Sequence, residues 1–180
     1  EINASAHADD DFSKNKSIAE LTDWNIYSPV WAPVSLEDQW LKLQDKDPFD
    51  YAKVERKIPA SKELRVSFDL KAGQNNKGTL QIEFLDENGI ACSRMELTDD
   101  GIFRLKGGSR FANMMKYEAG KVYHVEAVLS TVDRNIQVYV DGKRVGLRMF
   151  YAPVAAVERI VFRTGVPRTF PTVRSEEHTS

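Results

Sequence analysis

Along much of this chain apolar and polar side chains alternate one for one. In "ELRVSFDL" Leu64, Val66, Phe68 and Leu70 share one parity, while Arg65, Ser67 and Asp69 take the other. In "GTLQIEFLD" Leu80, Ile82 and Phe84 oppose Gln81, Glu83 and Leu85. A period of two marks strands of antiparallel sheets with one face in the core and one in water. "VYHVEAVLS" and "NIQVYVDG" repeat it, with Tyr123, Val125, Ala127 and Leu129 on one parity and Ile136, Val138 and Val140 on the matching one. The "TVDRN" between them reads as a polar hairpin loop. Asp141–Gly142 suits a type I′ turn into "KRVG", because both central residues of that turn take positive φ. "VERIVFRTG" is a further strand with Ile160 and Phe162 inward. "RFANMMKY" fits either one helical turn or an irregular strand. With no long amphipathic helix pattern, short strands between turn clusters ("KAGQNNKG", "DENG", "TDDG") predict an all-β fold, an antiparallel β-sandwich or jelly roll.

The first third differs. "WNIYSPVWAPVSLEDQWLKLQDKDPFDYAKVERKIPA" carries all three tryptophans and four of the seven prolines. Pro29, Pro33, Pro48 and Pro59 cut it into short extended pieces, edge strands and loops, because proline cannot donate to a ladder. "DQWLKLQD" and "YAKVERKI" are its strand candidates.

Composition narrows the function classes. A chain of 180 residues, 42% hydrophobic and 29% charged, buries a substantial single core. No apolar run approaches the roughly 18 residues of a spanning helix. A net charge of −2 offers no overall basic field, so nucleic acid is not an expected partner. The single cysteine, Cys92, rules out an internal disulfide and a cysteine-built zinc cage.

Three segments follow. Residues 1–20 read as a polar linker and residues 21–173 as one β-sandwich domain. Residues 174–180, "RSEEHTS", resemble the translation of a sequencing-adapter oligonucleotide and are expected to be a tail outside the fold. The chain begins at Glu1 without a basic and apolar leader, so a signal peptide is expected to lie outside it.

The stretch from Gly120 to Val145, "GKVYHVEAVLSTVDRNIQVYVDGKRV", resembles the central hairpin of concanavalin A-like and laminin G-like jelly rolls. Tyr123, His124, Tyr139, Asp141 and Gly142 carry the match. The segments "SPVWAPVSL", "LQDKDPFDYA" and "FYAPVAAVERIVFRTG" also look like domains appended to polysaccharide-degrading enzymes of Bacteroidetes-type bacteria, some beside sialidase-like propellers. This resemblance implies a non-catalytic, carbohydrate-binding accessory module of a larger secreted, periplasmic or cell-surface bacterial protein. Its partners would be a glycan, a neighbouring catalytic domain of the same chain, or both. The alternative it raises is a jelly-roll polysaccharide lyase or glycoside hydrolase.

Catalytic constellations are weak in the sequence. A jelly-roll glucanase needs acids of one parity on one strand, whereas Glu83 and Asp86 have opposite parity and Glu96 with Asp99 and Asp100 runs into a turn. These are expected to be surface acids. "LQIEF" places Glu83 where the alginate lyases' "QIH" strand carries histidine. His124, the one histidine inside the expected fold, has no evident partner and reads as a strand residue. No cofactor is expected; calcium is the ion that the acidic runs Asp9–Asp11 or Asp45, Asp47 and Asp50 would accept, though neither has EF-hand spacing. A glycan site needs aromatic rings near planar polar groups. The candidates are Trp24, Tyr27, Trp31 and Trp40 in the proline-broken segment, Asn75 and Asn76 in a turn, and Gln81, Glu83, Arg94 and Arg104 on strands. Phe150 and Tyr151 of "MFYAPV" are expected to join the N-terminal aromatics in an apolar patch facing a neighbour.

Overall fold

The computed structural model describes residues 52–73 and 79–164 in full, together with Leu43 and the backbone of Trp24–Tyr27, Val34–Glu37, Trp40–Asp45 and Val173–Thr179. Its strands, numbered in chain order, form two seven-stranded sheets. The first runs, edge to edge, β1 (Trp24–Tyr27), β4 (Lys53–Ser61), β13 (Val157–Thr164), β6 (Leu80–Leu85), β7 (Ala91–Leu97), β8 (Ile102–Gly107) and β9 (Arg110–Lys116). The second runs β12 (Lys143–Met149), β11 (Asn135–Val140), β10 (Val122–Ser130), β5 (Glu63–Ala72), β14 (Val173–Thr179), β3 (Trp40–Asp45) and β2 (Val34–Glu37). The pairings are antiparallel, and no helix occurs among the described residues. This is the expected sandwich.

Parity built it as the pattern predicts. Leu64, Val66, Phe68 and Leu70 of β5 face inward with Val125 and Ala127 of β10 and Ile136 and Val138 of β11. They meet Ile82 and Phe84 of β6, Met95 of β7, Leu105 of β8 and Phe162 of β13, all fully buried. Phe68 and Phe162 bridge the two sheets edge to face, with ring centroids 5.2 Å apart, a geometry that aligns ring edge with ring face. The hairpin turns at Arg134 (φ 56°), and the next turn has Asp141 at φ 50° and Gly142 at φ 84°, as a type I′ turn requires.

One ambiguous stretch resolves into a strand. Arg110–Lys116 is β9, and a register shift opposite Phe103 and Arg104 gives it the irregular pattern that resembled a helical turn. Val173–Thr179, containing most of the segment expected to form a tail, is placed as β14 between β3 and β5. The linker 1–20 lies outside the described residues.

His124 gains a partner that sequence did not reveal. Its Nδ1 lies 2.8 Å from Asp69 Oδ1 on the neighbouring strand β5. Both side chains are partly exposed on the outer face of the second sheet, 50% and 37%.

Candidate functional site

The outer face of the first sheet is where polar chemistry gathers. On β6 the inward Leu80, Ile82 and Phe84 leave Gln81 and Glu83 facing out, and antiparallel pairing sets Gln81 beside Glu96 and Glu83 beside Arg94 of β7. β8 adds Arg104 opposite Glu96, and β13 adds Arg163 opposite Gln81. Residues directly across an antiparallel pair share a face, so four strands deliver these side chains to one surface.

They form a continuous ladder. Arg94 donates from Nε and Nη2 to Glu83 Oε2 at 3.2 and 2.9 Å. Arg163 Nη2 lies 3.6 Å from the other oxygen of Glu83 and also donates to Gln81 Oε1. Gln81 in turn donates to Glu96 Oε2 at 3.1 Å, and Arg104 donates to Glu96 Oε1 at 2.5 Å. Further along β13, Arg159 pairs with Glu55 of β4 at 3.6 Å. The carboxylates are the floor: Glu55, Glu83 and Glu96 are 7%, 9% and 5% exposed. The guanidiniums lie above them, with side chains 24–35% exposed.

Aromatic rings flank the ladder. The Arg104 guanidinium stacks 4.1 Å from the centroid of Phe111 on β9, an attraction between cation and ring quadrupole. The connection from β12 to β13 starts beside β8 and β9 and must pass β7 and β6 to reach the middle of the sheet. On that path Tyr151 donates its backbone N–H to Cys92 O of β7 at 3.0 Å, and Lys106 of β8 places Nζ 4.4 Å from the Tyr151 ring centroid.

Electrostatics fix the charge states. Burial works against the Arg94 charge, but the Glu83 carboxylate outweighs it, with help from Tyr151 and Glu96, and holds the guanidinium pKa above its ordinary value. Burial raises the Tyr151 phenol pKa; Arg94 opposes this and Glu83 reinforces it. At neutral pH Tyr151 is therefore an O–H donor, and its buried hydroxyl has no hydrogen-bond partner among the described residues. A buried donor left unmet costs about 1–3 kcal/mol.

Against known proteins, residues 24–179 match the family described as the Sialidase-like, CBM domain. The chain belongs to that family. It is 75% identical to a protein titled Sialidase, with a TM-score of 0.92, over 99% of this chain and 19% of that one. The chain thus spans about a fifth of that relative. At fold level it resembles the Emp47p carbohydrate recognition domain (10% identity, TM-score 0.66, 99% of this chain and 98% of that one). It also resembles the carbohydrate-binding module CBM66 from Bacillus subtilis (10% identity, TM-score 0.57, 88% of this chain and 94% of that one). A search of the curated proteins finds no match. A Sialidase-like CBM domain is a non-catalytic carbohydrate-binding accessory module, which favours the binding reading over the lyase or glycosidase alternative.

Within this Sialidase-like CBM domain, the structure brings together four of the sequence candidates, Gln81, Glu83, Arg94 and Arg104. Trp31, Asn75 and Asn76 lie outside the described residues. Of Trp24, Tyr27 and Trp40 only the backbone is described: Trp24 and Tyr27 pair with Arg56 and Lys53 of β4, and Trp40 pairs with Glu37. Glu83 and Glu96, expected as surface acids, are buried, because arginines from the flanking strands lie over them. Asp86 stays apart and caps its own turn, accepting from the N–H groups of Asn88 and Ile90.

The N-terminal aromatics of the patch expected around "MFYAPV" have no described side chains. Phe150 packs against the core and Tyr151 joins the polar face. Sequence reasoning missed Tyr151, Arg163, Arg159, Lys106 and Phe111. For the strand residues the outward parity was visible; for Tyr151 no local signal existed. The acidic runs proposed for calcium lie outside the described residues apart from the backbone of Asp45. Among the described residues no group of three acids, histidines or cysteines converges as a metal cage. No helix among them is long and apolar enough to cross a membrane.

Proposed function

We propose that this domain binds its glycan on the outer face of the first sheet, across β13, β6, β7 and β8 and beneath Tyr151, within a larger exported sialidase-like protein whose catalytic domain lies beside it. The observation that carries the reading is the convergence of planar hydrogen-bonding groups with aromatic rings: the linked guanidiniums and Gln81, with Tyr151 and Phe111 at the margins. Sugars need this combination, since rings take their C–H faces and fixed planar donors orient their hydroxyls. The outer face of the second sheet also sets a ring beside planar groups, Tyr139 with Gln137 and Arg144, next to an exposed histidine–aspartate pair and the exposed apolar side chains Leu147 and Met149, but among the described residues it has no buried carboxylates beneath them. Membership of a carbohydrate-binding family and 75% identity to part of a sialidase support an accessory role in an extracellular or surface protein. Calcium on the acidic N-terminal runs is a separate proposal, tested by calorimetric titration with calcium chloride; absence of saturable heat rejects it.

The test of the face is amide chemical-shift mapping of the 180-residue chain against soluble neutral and acidic glycans. Saturable shifts should cluster on β6, β7, β13 and the loop around Tyr151. Shifts confined to the second sheet, or no shifts with any glycan, reject this assignment.

A further inference from the structure

We infer that the domain has a second binding site, a groove for a neutral sugar on the outer face of the second sheet, at the end that carries the hairpin between β10 and β11. The groove has a volume of about 510 Å³, within the range of small-molecule sites. Strand pairing lays out its floor in two neighbouring rows. Gln137 of β11, Val128 of β10 and Arg65 of β5 stand directly across from one another, and Asn135, Ser130 and Glu63 form the next row. Residues paired in this way share a face. Arg65 and Gln137 are two strand spacings apart, about 10 Å, with the aliphatic Val128 between them. Asp133 of the hairpin loop closes the end.

The polar groups of the groove are held in place. Gln137 Oε1 accepts from the Tyr139 hydroxyl at 3.2 Å and from Arg144 Nη1 at 3.3 Å. A guanidinium only donates, so this contact fixes which end of the amide is oxygen and leaves the NH₂ group for the groove. Arg65 donates from Nη1 to Glu126 Oε1 at 2.8 Å and has further N–H groups beyond that bond. Ser130 Oγ accepts the backbone N–H of Asp133 at 3.1 Å, which ties the loop to the strand and leaves the serine O–H to donate. Fixed planar donors therefore stand around an aliphatic floor with a carboxylate at its end. Adjacent hydroxyls of a sugar, each both donor and acceptor, match that arrangement.

Charge selects among sugars. Glu63 and Asp133 line the groove, and the guanidinium of Arg65 is already paired with Glu126. The lining as a whole is negative and repels an acidic sugar. None of these groups belongs to the ladder on the first sheet, so the two sites stand or fall separately.

Amide chemical-shift mapping of the 180-residue chain tests the groove, using glucose, galactose, mannose, N-acetylglucosamine, glucosamine and glucuronic acid. At least one neutral sugar should give saturable shifts at Arg65, Val128, Ser130 and the residues from Asp133 to Gln137. Glucuronic acid should bind there about tenfold more weakly or not at all. Asp133→Ala and Gln137→Leu should each weaken the best neutral sugar about fivefold or more, the equivalent of one hydrogen bond, with thermal unfolding checking the fold. Three results overturn the inference: no saturable shift in the groove with any neutral sugar, glucosamine or glucuronic acid matching the best neutral sugar there, or an affinity that neither variant changes. Shifts on the first sheet alone overturn it while the proposed glycan face stands. Shifts in the groove alone do the reverse.

Discussion

Glu83 and Arg94 offer a quantitative handle on the ladder. Arg94→Leu removes the two N–H groups that meet Glu83 Oε2 at 3.2 and 2.9 Å and leaves a carboxylate 9% exposed. Breaking one side of a buried ion pair costs about 3–5 kcal/mol, because the remaining charge stays desolvated. Here the loss falls just below that range, about 2–3 kcal/mol, since Arg163 still lies 3.6 Å from Glu83 and the Arg94 side chain is 24% exposed. Removing both partners, Glu83→Leu with Arg94→Leu, removes the stranded charge as well and should recover much of that loss. The coupling energy of the cycle is expected near 2 kcal/mol. Urea unfolding of the four proteins measures it, with midpoints compared at constant slope. A coupling under about 0.5 kcal/mol, the value of an exposed surface pair, would refute the claim that this face holds a desolvated ionic layer.

The buried thiol sets an alkaline limit. Burial raises the Cys92 pKa to about 12 from its model-compound value of 9.0, so the folded state holds a proton that the unfolded state releases above pH 9. Its stabilising contribution is complete below that pH and is lost as pH rises toward the folded value. The slope approaches about −1.4 kcal/mol per pH unit. Urea midpoints between pH 8 and 10 should show this fall, and Cys92→Ala should flatten it. Tyr117 and Tyr151, also raised by burial, add slope of the same sign above pH 10. At the hairpin, Gly142 sits at φ 84° with nothing near its missing side chain, so Gly142→Ala should lower stability by about 1 kcal/mol through backbone strain alone. An unchanged unfolding midpoint would contradict the type I′ geometry.

Period-two alternation made the sandwich legible because each strand has one wet face and one dry one. It also made the Asp141–Gly142 turn readable, since few residue pairs tolerate two positive φ values. Parity alone left the outer faces equivalent: Arg65, Ser67 and Asp69 look no different in sequence from Gln81, Glu83 and Leu85. The difference comes from strand order, which sets β6 between β13 and β7 and so brings Arg163 and Arg94 to either side of Glu83. Glu83 and Arg94 face each other across one hairpin, but Arg163 comes from a strand far along the chain, and no short window contains all three. β9 was ambiguous for a related reason, since its register shift breaks the alternation that identifies a strand.

Tyr151 shows why a residue of the proposed site was the least visible. Its neighbours in "MFYAPV" are apolar, and an aromatic before a proline suggests a hydrophobic patch. The role comes from the path: β12 ends at the margin of one sheet and β13 lies in the middle of the other, so the connection has to cross β7 and β6. That crossing places a phenol at the end of an ionic ladder that neither strand encodes by itself. The ladder then explains why the phenol stays protonated, since burial and the Glu83 charge both oppose its ionisation. At the proposed site, stability and recognition would therefore both run through Glu83, which holds Arg94 on one side and lies against Arg163 on the other.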